Sequence, residues 1–182
     1  SVGATMNIMI GAVLANGTTV IENAAKEPHI VDLANFLNAM GAKVSGAGTD
    51  VIKIRGVRSL HGGNYSIIPD QIETGTYMAA VSATGGDVLI QNVIPKHMDC
   101  ISAKLREMGV KIAEYDDAIR VQRTGVMRRA NVKTMPYPAP RRTCSRRSPC
   151  ACPLASGVSV ITESIYDTRF GYCAELNRMG AS

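Results

Sequence analysis

Gly17-Thr-Thr-Val-Ile-Glu-Asn23, with Ile30, Leu33, Leu37 and Met40-Gly-Ala-Lys-Val44 behind it, is a pattern that the chain writes three times. The second copy runs Gly86-Asp-Val-Leu-Ile-Gln-Asn92, then Met98, Ile101, Leu105 and Met108-Gly-Val-Lys-Ile112. The third runs Gly157-Val-Ser-Val-Ile-Thr-Glu163, then Tyr172, Leu176 and Met179-Gly-Ala181. Met40 and Met108 stand 68 residues apart, and Met108 and Met179 stand 71 apart. A period of that size is too long for a solenoid repeat, so each copy is a small folding unit.

Each copy reads as the same series of elements. Ile30, Leu33, Leu37 and Met40 recur at helical spacing, and Met98, Ile101, Leu105 and Met108 repeat the offsets 3, 7 and 10. Gly41 and Gly109 follow where a helix closes on a left-handed residue. Thr18 to Glu22 and Asp87 to Gln91 read as strands after tight turns. Lys43-Val44 and the alternating Val51 to Arg55 read as further strands, with Lys111-Ile112 and Ile119 to Gln122 as counterparts. Upstream of them, Thr5 to Ala15 and Thr76 to Ala83 are apolar helical stretches. Asn64 to Ile68 and Asn131 to Met135 are expected as a last strand in each unit. The expected fold class is α+β, built from repeated units of two helices and four strands whose sheet edges close around buried helices.

Composition narrows the class further. Across 182 residues, 46% are apolar, with two Phe and no Trp, so the core is aliphatic. The longest apolar stretch, near Ile8 to Ala15, is too short to span a bilayer, and no leader opens the chain, which points to a cytoplasmic protein. The start at Ser1 and the stop just after the third Met-Gly-Ala read as a piece of a longer chain. The five Cys lack the spacing of a disulfide framework or a zinc site. The net charge is +5, and nine Lys or Arg lie between Arg120 and Arg147 in a stretch without Asp or Glu. Such a run would suit nucleic acid, although apart from Tyr137 it has no aromatic side chain on which bases could stack.

The third copy departs from the pattern at one place. Its first helix is due near Ser145 to Ala155, where Pro149 and Pro153 stand four apart. Proline inside a helix costs about 3 kcal/mol, so the helix is not expected there in its usual form.

Several segments carry a resemblance. Ser1-Val-Gly-Ala-Thr-Met-Asn-Ile-Met9, Val20-Ile-Glu-Asn-Ala-Ala-Lys-Glu-Pro28, Leu60-His-Gly-Gly63, Ile68-Pro-Asp70, Ile72-Glu-Thr-Gly-Thr76 and Ile161-Thr-Glu-Ser-Ile-Tyr-Asp-Thr-Arg-Phe170 are among them. Together they resemble the UDP-N-acetylglucosamine 1-carboxyvinyltransferases, over all of the chain except roughly residues 139 to 154. The resemblance implies an inside-out α/β barrel of the enolpyruvyl transferase type, here incomplete. Residues 1–68 would be the last unit of the first domain and residues 69–182 part of the second. It implies transfer of the enolpyruvyl group of phosphoenolpyruvate to the 3′-hydroxyl of UDP-N-acetylglucosamine, the first committed step of peptidoglycan synthesis. That reaction needs no metal or cofactor, and neither nucleic acid nor membrane is implied as a partner. The sister reaction on shikimate 3-phosphate shares the architecture.

Residue by residue, Ser1, Val2 and Gly3 match a family segment that contacts the nucleotide diphosphate, where small residues admit phosphate oxygens to the backbone. Ile165 matches a hydrophobic position against the substrate, and Arg169 a cleft arginine near the phosphoenolpyruvate site. Glu27 and Asp70 match acidic cleft positions, although carboxylates at helix starts also simply complement the dipole. Gln71 stands where the family usually has Arg, and His29 where Glu is frequent. The acid Cys of the family lies on a loop upstream of Ser1, so none of the five Cys here takes its role.

The family's proposed base is an Asp in a Pro-Thr-Asp-Met-Gln segment, and alignment from Arg169 puts Thr143 in its place. Codons that encode Pro140-Arg-Arg-Thr-Cys-Ser-Arg-Arg147 can be chosen so that, read two bases later, they spell Pro-Thr-Asp-Met-Gln. A compensated frame slip between about Ala139 and Gly157 is therefore expected, and this chain alone is expected to be inactive.

Overall fold

The computed structural model describes residues 1–133, 152, 154–163 and 170–181. The chain divides into two compact units, Ser1–Ile68 and Pro69–Ser182.

In unit 1 the order is helix α1 (Val2–Ala12), strand β1 (Thr18–Glu22), helix α2 (Pro28–Ala39), and strands β2 (Lys43–Ser45) and β3 (Val51–Arg55). The three strands form an antiparallel sheet in the order β1-β3-β2, with Thr18 opposite Arg55 and Lys43 opposite the same residue. In β3 Ile52 and Ile54 point inward while Val51, Lys53 and Arg55 face out, as period-2 alternation requires. Helix α2 lays Ile30, Ala34 and Leu37 onto those isoleucines. Pro28, where the lost N–H would have had no intrahelical acceptor, starts α2, and Gly41 at φ +96° ends it.

Unit 2 repeats the plan. Helix α3 (Gln71–Thr84), strand β4 (Gly86–Gln91), a 3-10 turn (Pro95–Met98), helix α4 (Asp99–Glu107), and strands β5 (Lys111–Glu114) and β6 (Ala118–Arg123) give a sheet in the order β4-β6-β5. Met98, Ile101, Leu105 and Met108 are all buried, which accounts for the helical spacing read in the sequence. The repeat extends to backbone detail. Asn23 and Asn92 both adopt positive φ, 53° and 54°, just after the first strand of each sheet. The next amides, those of Ala24 and Val93, reach Asp50 O at 2.9 Å and Asp117 O at 3.0 Å. Because the left-handed asparagine recurs at equivalent places, it belongs to the turn and marks no site.

Three further correspondences show how the sequence changes while the task stays. At position 38 Asn Nδ2 donates to Val44 O and Oδ1 accepts from Val44 N, both at 2.8 Å; the equivalent Arg106 donates to Ile112 O at 3.2 Å. The strap after each sheet is pinned to the end of the second helix. His61 N reaches Met40 O and Arg128 N reaches Met108 O, each at 2.9 Å. Farther along each strap, the Tyr65 hydroxyl donates to Asp32 Oδ1 at 2.7 Å and its ring packs on Phe36, while Lys104 Nζ donates to Asn131 O at 2.8 Å. The carboxylate beside Tyr65 holds its phenol above the usual range.

Ala34 of α2 corresponds to Ser102 of α4, which is fully buried with its hydroxyl unpartnered. A buried hydroxyl without a partner costs about 1–3 kcal/mol. Ser102→Ala is expected to raise unit 2 stability by roughly 1 kcal/mol in urea denaturation, since the residue that fits there in unit 1 is alanine.

The expected fourth strand needs correcting. In unit 2 it is present as β7 (Val132–Lys133), paired in parallel with β8 (Ile161–Thr162) of the third copy. In unit 1, Asn64 to Ile68 forms no strand. A strand needs a ladder partner for its amides and carbonyls, and the described residues supply one only to β7. The third copy also provides helix α5 (Gly171–Arg178), ended by Gly180 at φ +94°. Its expected first helix, near residues 145 to 155, falls almost wholly outside the described residues.

Helix α1 buries Thr5, Met9 and Ala12 yet leaves Ile8 and Ile10 about half exposed, and Leu14 just beyond it is exposed likewise. No helix among the described residues is long and apolar enough to cross a membrane.

Candidate functional site

Thr5 links the two segments that carry the residues singled out in unit 1. Its buried hydroxyl donates to Ser1 O at 3.1 Å and accepts from Ala25 N at 3.1 Å, which fastens the loop before α2 against the first turn of α1. Ser1 occupies the N-cap position of α1, but its side chain makes no capping bond. The first backbone bond of the helix runs from Thr5 N to Ser1 O at 3.0 Å, so the amides of Val2, Gly3 and Ala4 precede the ladder. A Cβ built on Gly3 would meet nothing within 4 Å, so there is room beside this turn at Gly3. Uncapped amides at a helix N-terminus attract anions.

Glu27 stands two residues beyond Ala25, at the N-cap of α2, and also makes no capping bond. Its Oε2 is buried and without a partner. Buried carboxylate oxygens are rarely left unpaired, so this atom is an acceptor waiting for a donor. The turn carrying Ser1, Val2 and Gly3 and the loop carrying Glu27 are thus joined by one hydrogen bond, and they combine an anion-attracting end with an acceptor. His29 lies half-buried in the first turn of α2.

Asp70 lies in unit 2, at the start of α3. Its Oδ1 accepts from Ile72 N at 2.7 Å, so it caps α3, and Gln71 is the first helical residue. Thr74 donates to Asp70 O at 2.9 Å, as Thr5 does to Ser1 O. Asp70 and Ser1 are therefore equivalent positions of the repeat. Ile165, Arg169 and Thr143 lie outside the described residues, as do Cys144 and Cys150.

Sequence reasoning passed over Thr5, although its recurrence as Thr74 in the second copy was a usable signal. It also missed the Arg120–Asp87 pair, in which both guanidinium contacts are 2.7 Å and Gln122 adds a third at 3.1 Å. The Arg120 guanidinium holds the Asp87 carboxyl below the usual range, but both side chains are solvated and the pair bridges neighbouring strands. Arg123 is spent on Ala83 O and Gly125 O, at 3.0 Å each. The start of the basic run therefore works inside the fold. Burial pushes the Cys100 thiol up, away from thiolate chemistry. Among the described residues no cluster of His, Cys, Asp or Glu could hold a metal.

This site can be set against known proteins. The sequence profile of the family described as EPSP synthase (3-phosphoshikimate 1-carboxyvinyltransferase) matches residues 1–182. The chain belongs to the EPSP synthase family. Within that family it is similar to UDP-N-acetylglucosamine 1-carboxyvinyltransferase 3 of Caldanaerobacter subterraneus subsp. tengcongensis, at 58% identity over 99% of this chain and 43% of the relative. It is also similar to the UDP-N-acetylglucosamine 1-carboxyvinyltransferase of Clostridium botulinum, at 53% identity over 100% of this chain and 44% of the relative. The chain thus spans less than half the length of these relatives. Among solved structures, the enolpyruvyl transferase NikO from Streptomyces tendae superposes with a TM-score of 0.80 at 24% identity, over 97% of this chain and 42% of that one. The NikO match shows that the mixed α/β fold described above is the family fold. Among the described residues the sheets do not close into a barrel.

Proposed function

We propose that this member of the EPSP synthase family is part of a UDP-N-acetylglucosamine enolpyruvyl transferase and carries one wall of its nucleotide-sugar site. In this reading residues 1–68 are the last unit of the first domain and residues 69–182 belong to the second. The exposed face of α1 is then covered by the rest of an inside-out barrel, and the whole enzyme works in the cytoplasm on peptidoglycan precursors.

The observation that carries the reading is the uncapped first turn of α1 beside the unpartnered Glu27 oxygen. The diphosphate of a nucleotide sugar supplies the anion for the amides, and hydroxyl or amide groups of the same ligand supply a donor for Glu27. In the whole enzyme a base takes the proton of the sugar 3′-hydroxyl as O3 bonds to C2 of phosphoenolpyruvate, while an acid gives a proton to the methylene carbon. Phosphate then leaves C2 as a proton is lost from the methyl group, which restores the double bond. Preorganised cations and a closed cleft would stabilise the charge that moves. Ile165, Arg169 and Asp70 are proposed as further substrate-binding residues, Asp70 also capping α3.

The proposed base is replaced at Thr143, and this chain holds less than half of the relatives' length. No turnover is therefore expected. With phosphoenolpyruvate and UDP-N-acetylglucosamine both present, phosphate release should stay at the level without protein, and release that scales with chain concentration would refute this. A second reading, transfer to shikimate 3-phosphate, is favoured by the wording of the family description alone. The identity to the two sugar-enzyme relatives favours the first.

A further inference from the structure

The strap of unit 2 differs from that of unit 1 in what it carries. Both are pinned through a backbone amide to the end of the second helix, but where unit 1 has His61-Gly62, unit 2 has Arg128-Arg129. The strap in unit 2 is held from the other side as well. Ser156 N donates to Met127 O at 2.8 Å, and Ala130 N donates to Ser159 Oγ at 3.2 Å. Met127 is buried, so the backbone between these bonds is fixed. Gly157 turns at φ +99°, and a Cβ there would lie 3.5 Å from Arg129 Cδ, so the turn and the arginine stem pack together. Between strap and turn opens a cleft of about 710 Å³, lined by Glu107, Val126, Met127, Arg128, Arg129 and Ser156-Gly157. The cleft is shallow and open to solvent, so a ligand there would be held by charge more than by enclosure.

The charge in this cleft is unbalanced. Its one acid, Glu107, is taken by Lys104 at 2.7 Å. The other described arginines of unit 2 are all engaged: Arg106 with Glu114, Arg120 with Asp87, Arg178 with Glu175, and Arg123 with two carbonyls. Of the described arginines in this unit, only the side chains of Arg128 and Arg129 have no carboxylate or carbonyl partner. Adjacent guanidiniums repel unless a shared anion lies between them, and each offers a rigid fork that fits tetrahedral oxyanions.

We propose that this cleft binds a compact phosphate dianion, the phosphate group of a small metabolite. Arg128 and Arg129 clamp it, and the Ser156 hydroxyl is at hand as a further donor. The residues involved are separate from Ser1–Gly3 and Glu27, so this inference stands or falls apart from the proposed function.

The test is isothermal titration of the full chain with inorganic phosphate at constant ionic strength set by chloride, with malonate as a dicarboxylate of equal charge. Saturable phosphate binding is expected, weakened at least tenfold in Arg128→Ala/Arg129→Ala. In Arg128→Lys/Arg129→Lys, which keeps the charge but loses the forks, a smaller loss of a few-fold is expected. Both side chains are exposed and make no internal hydrogen bond, so the variants should keep the circular dichroism of the parent chain. Equal phosphate affinity in the alanine variant, absence of saturable binding to the parent, or malonate binding as tightly as phosphate would each overturn the proposal.

Discussion

Gly56→Ala is expected to destabilise unit 1 by roughly 3 kcal/mol or more, at the upper end of what overpacking costs. Gly56 follows β3, and its amide reaches Gly17 O at 3.0 Å, while the next amide, that of Val57, reaches Val13 O at 2.8 Å. These bonds draw the end of the sheet against the chain leaving α1. A Cβ on Gly56 would land on the carbonyl oxygen of Ala15, which is backbone and has no rotamer to yield. Relief requires the breaking of at least one of the two bonds that hold β3 to the end of α1. Urea denaturation followed by circular dichroism reads the effect. Gly3→Ala and Gly62→Ala, where a Cβ would meet nothing within 4 Å, serve as controls expected to change little.

Leu105→Ala should cost unit 2 about 3 kcal/mol, within the 2–5 kcal/mol typical of a buried leucine. Leu105 is fully buried in α4 and belongs to the cluster that includes Met78, Ile119, Val121 and Met127. Much of this core sits on regular elements whose backbone is fixed by hydrogen bonds, so the cavity would collapse only in part. Hydrogen exchange resolves the two units separately. Amides of β6 should lose protection in Leu105→Ala while those of β3 keep it, and the reverse should hold for Gly56→Ala.

The fold was legible wherever the repeat spoke through periodicity. The inward Ile52 and Ile54 alternate with outward neighbours, and Met98, Ile101, Leu105 and Met108 share one buried face, so strand and helix could be told apart. The glycines that end helices at 41 and 109 were equally clear, and Gly180 closes the third-copy helix in the same way, all three at positive φ. What periodicity could not supply was pairing. Asn64 to Ile68 and Asn131 to Met135 look alike as sequence, yet only the second contains a strand, because β8 offers it a ladder.

The site was legible to a smaller degree. Ser1 to Gly3 and Glu27 are far apart in the chain, and it is the Thr5 hydroxyl, passed over although Thr5 recurs as Thr74, that brings their segments together. Asp70 looked like a cleft acid and is engaged as a helix cap, a role its place before Gln71 already allowed. Arg128 and Arg129 were read as part of a basic run. Only the hydrogen-bonding of Arg120 and Arg123 separates the arginines that hold the fold from the pair that faces a cleft.

The most direct test of the central claim is a titration of the chain with UDP-N-acetylglucosamine against shikimate 3-phosphate, followed by amide NMR. The account predicts saturable shifts with the nucleotide sugar, centred on Val2 to Ala4 and the 24–27 loop. They should be lost in Gly3→Val, whose side chain fills the open approach, and shikimate 3-phosphate should have little effect. Shifts of those amides with shikimate 3-phosphate in preference to the nucleotide sugar, or with neither ligand, would contradict it.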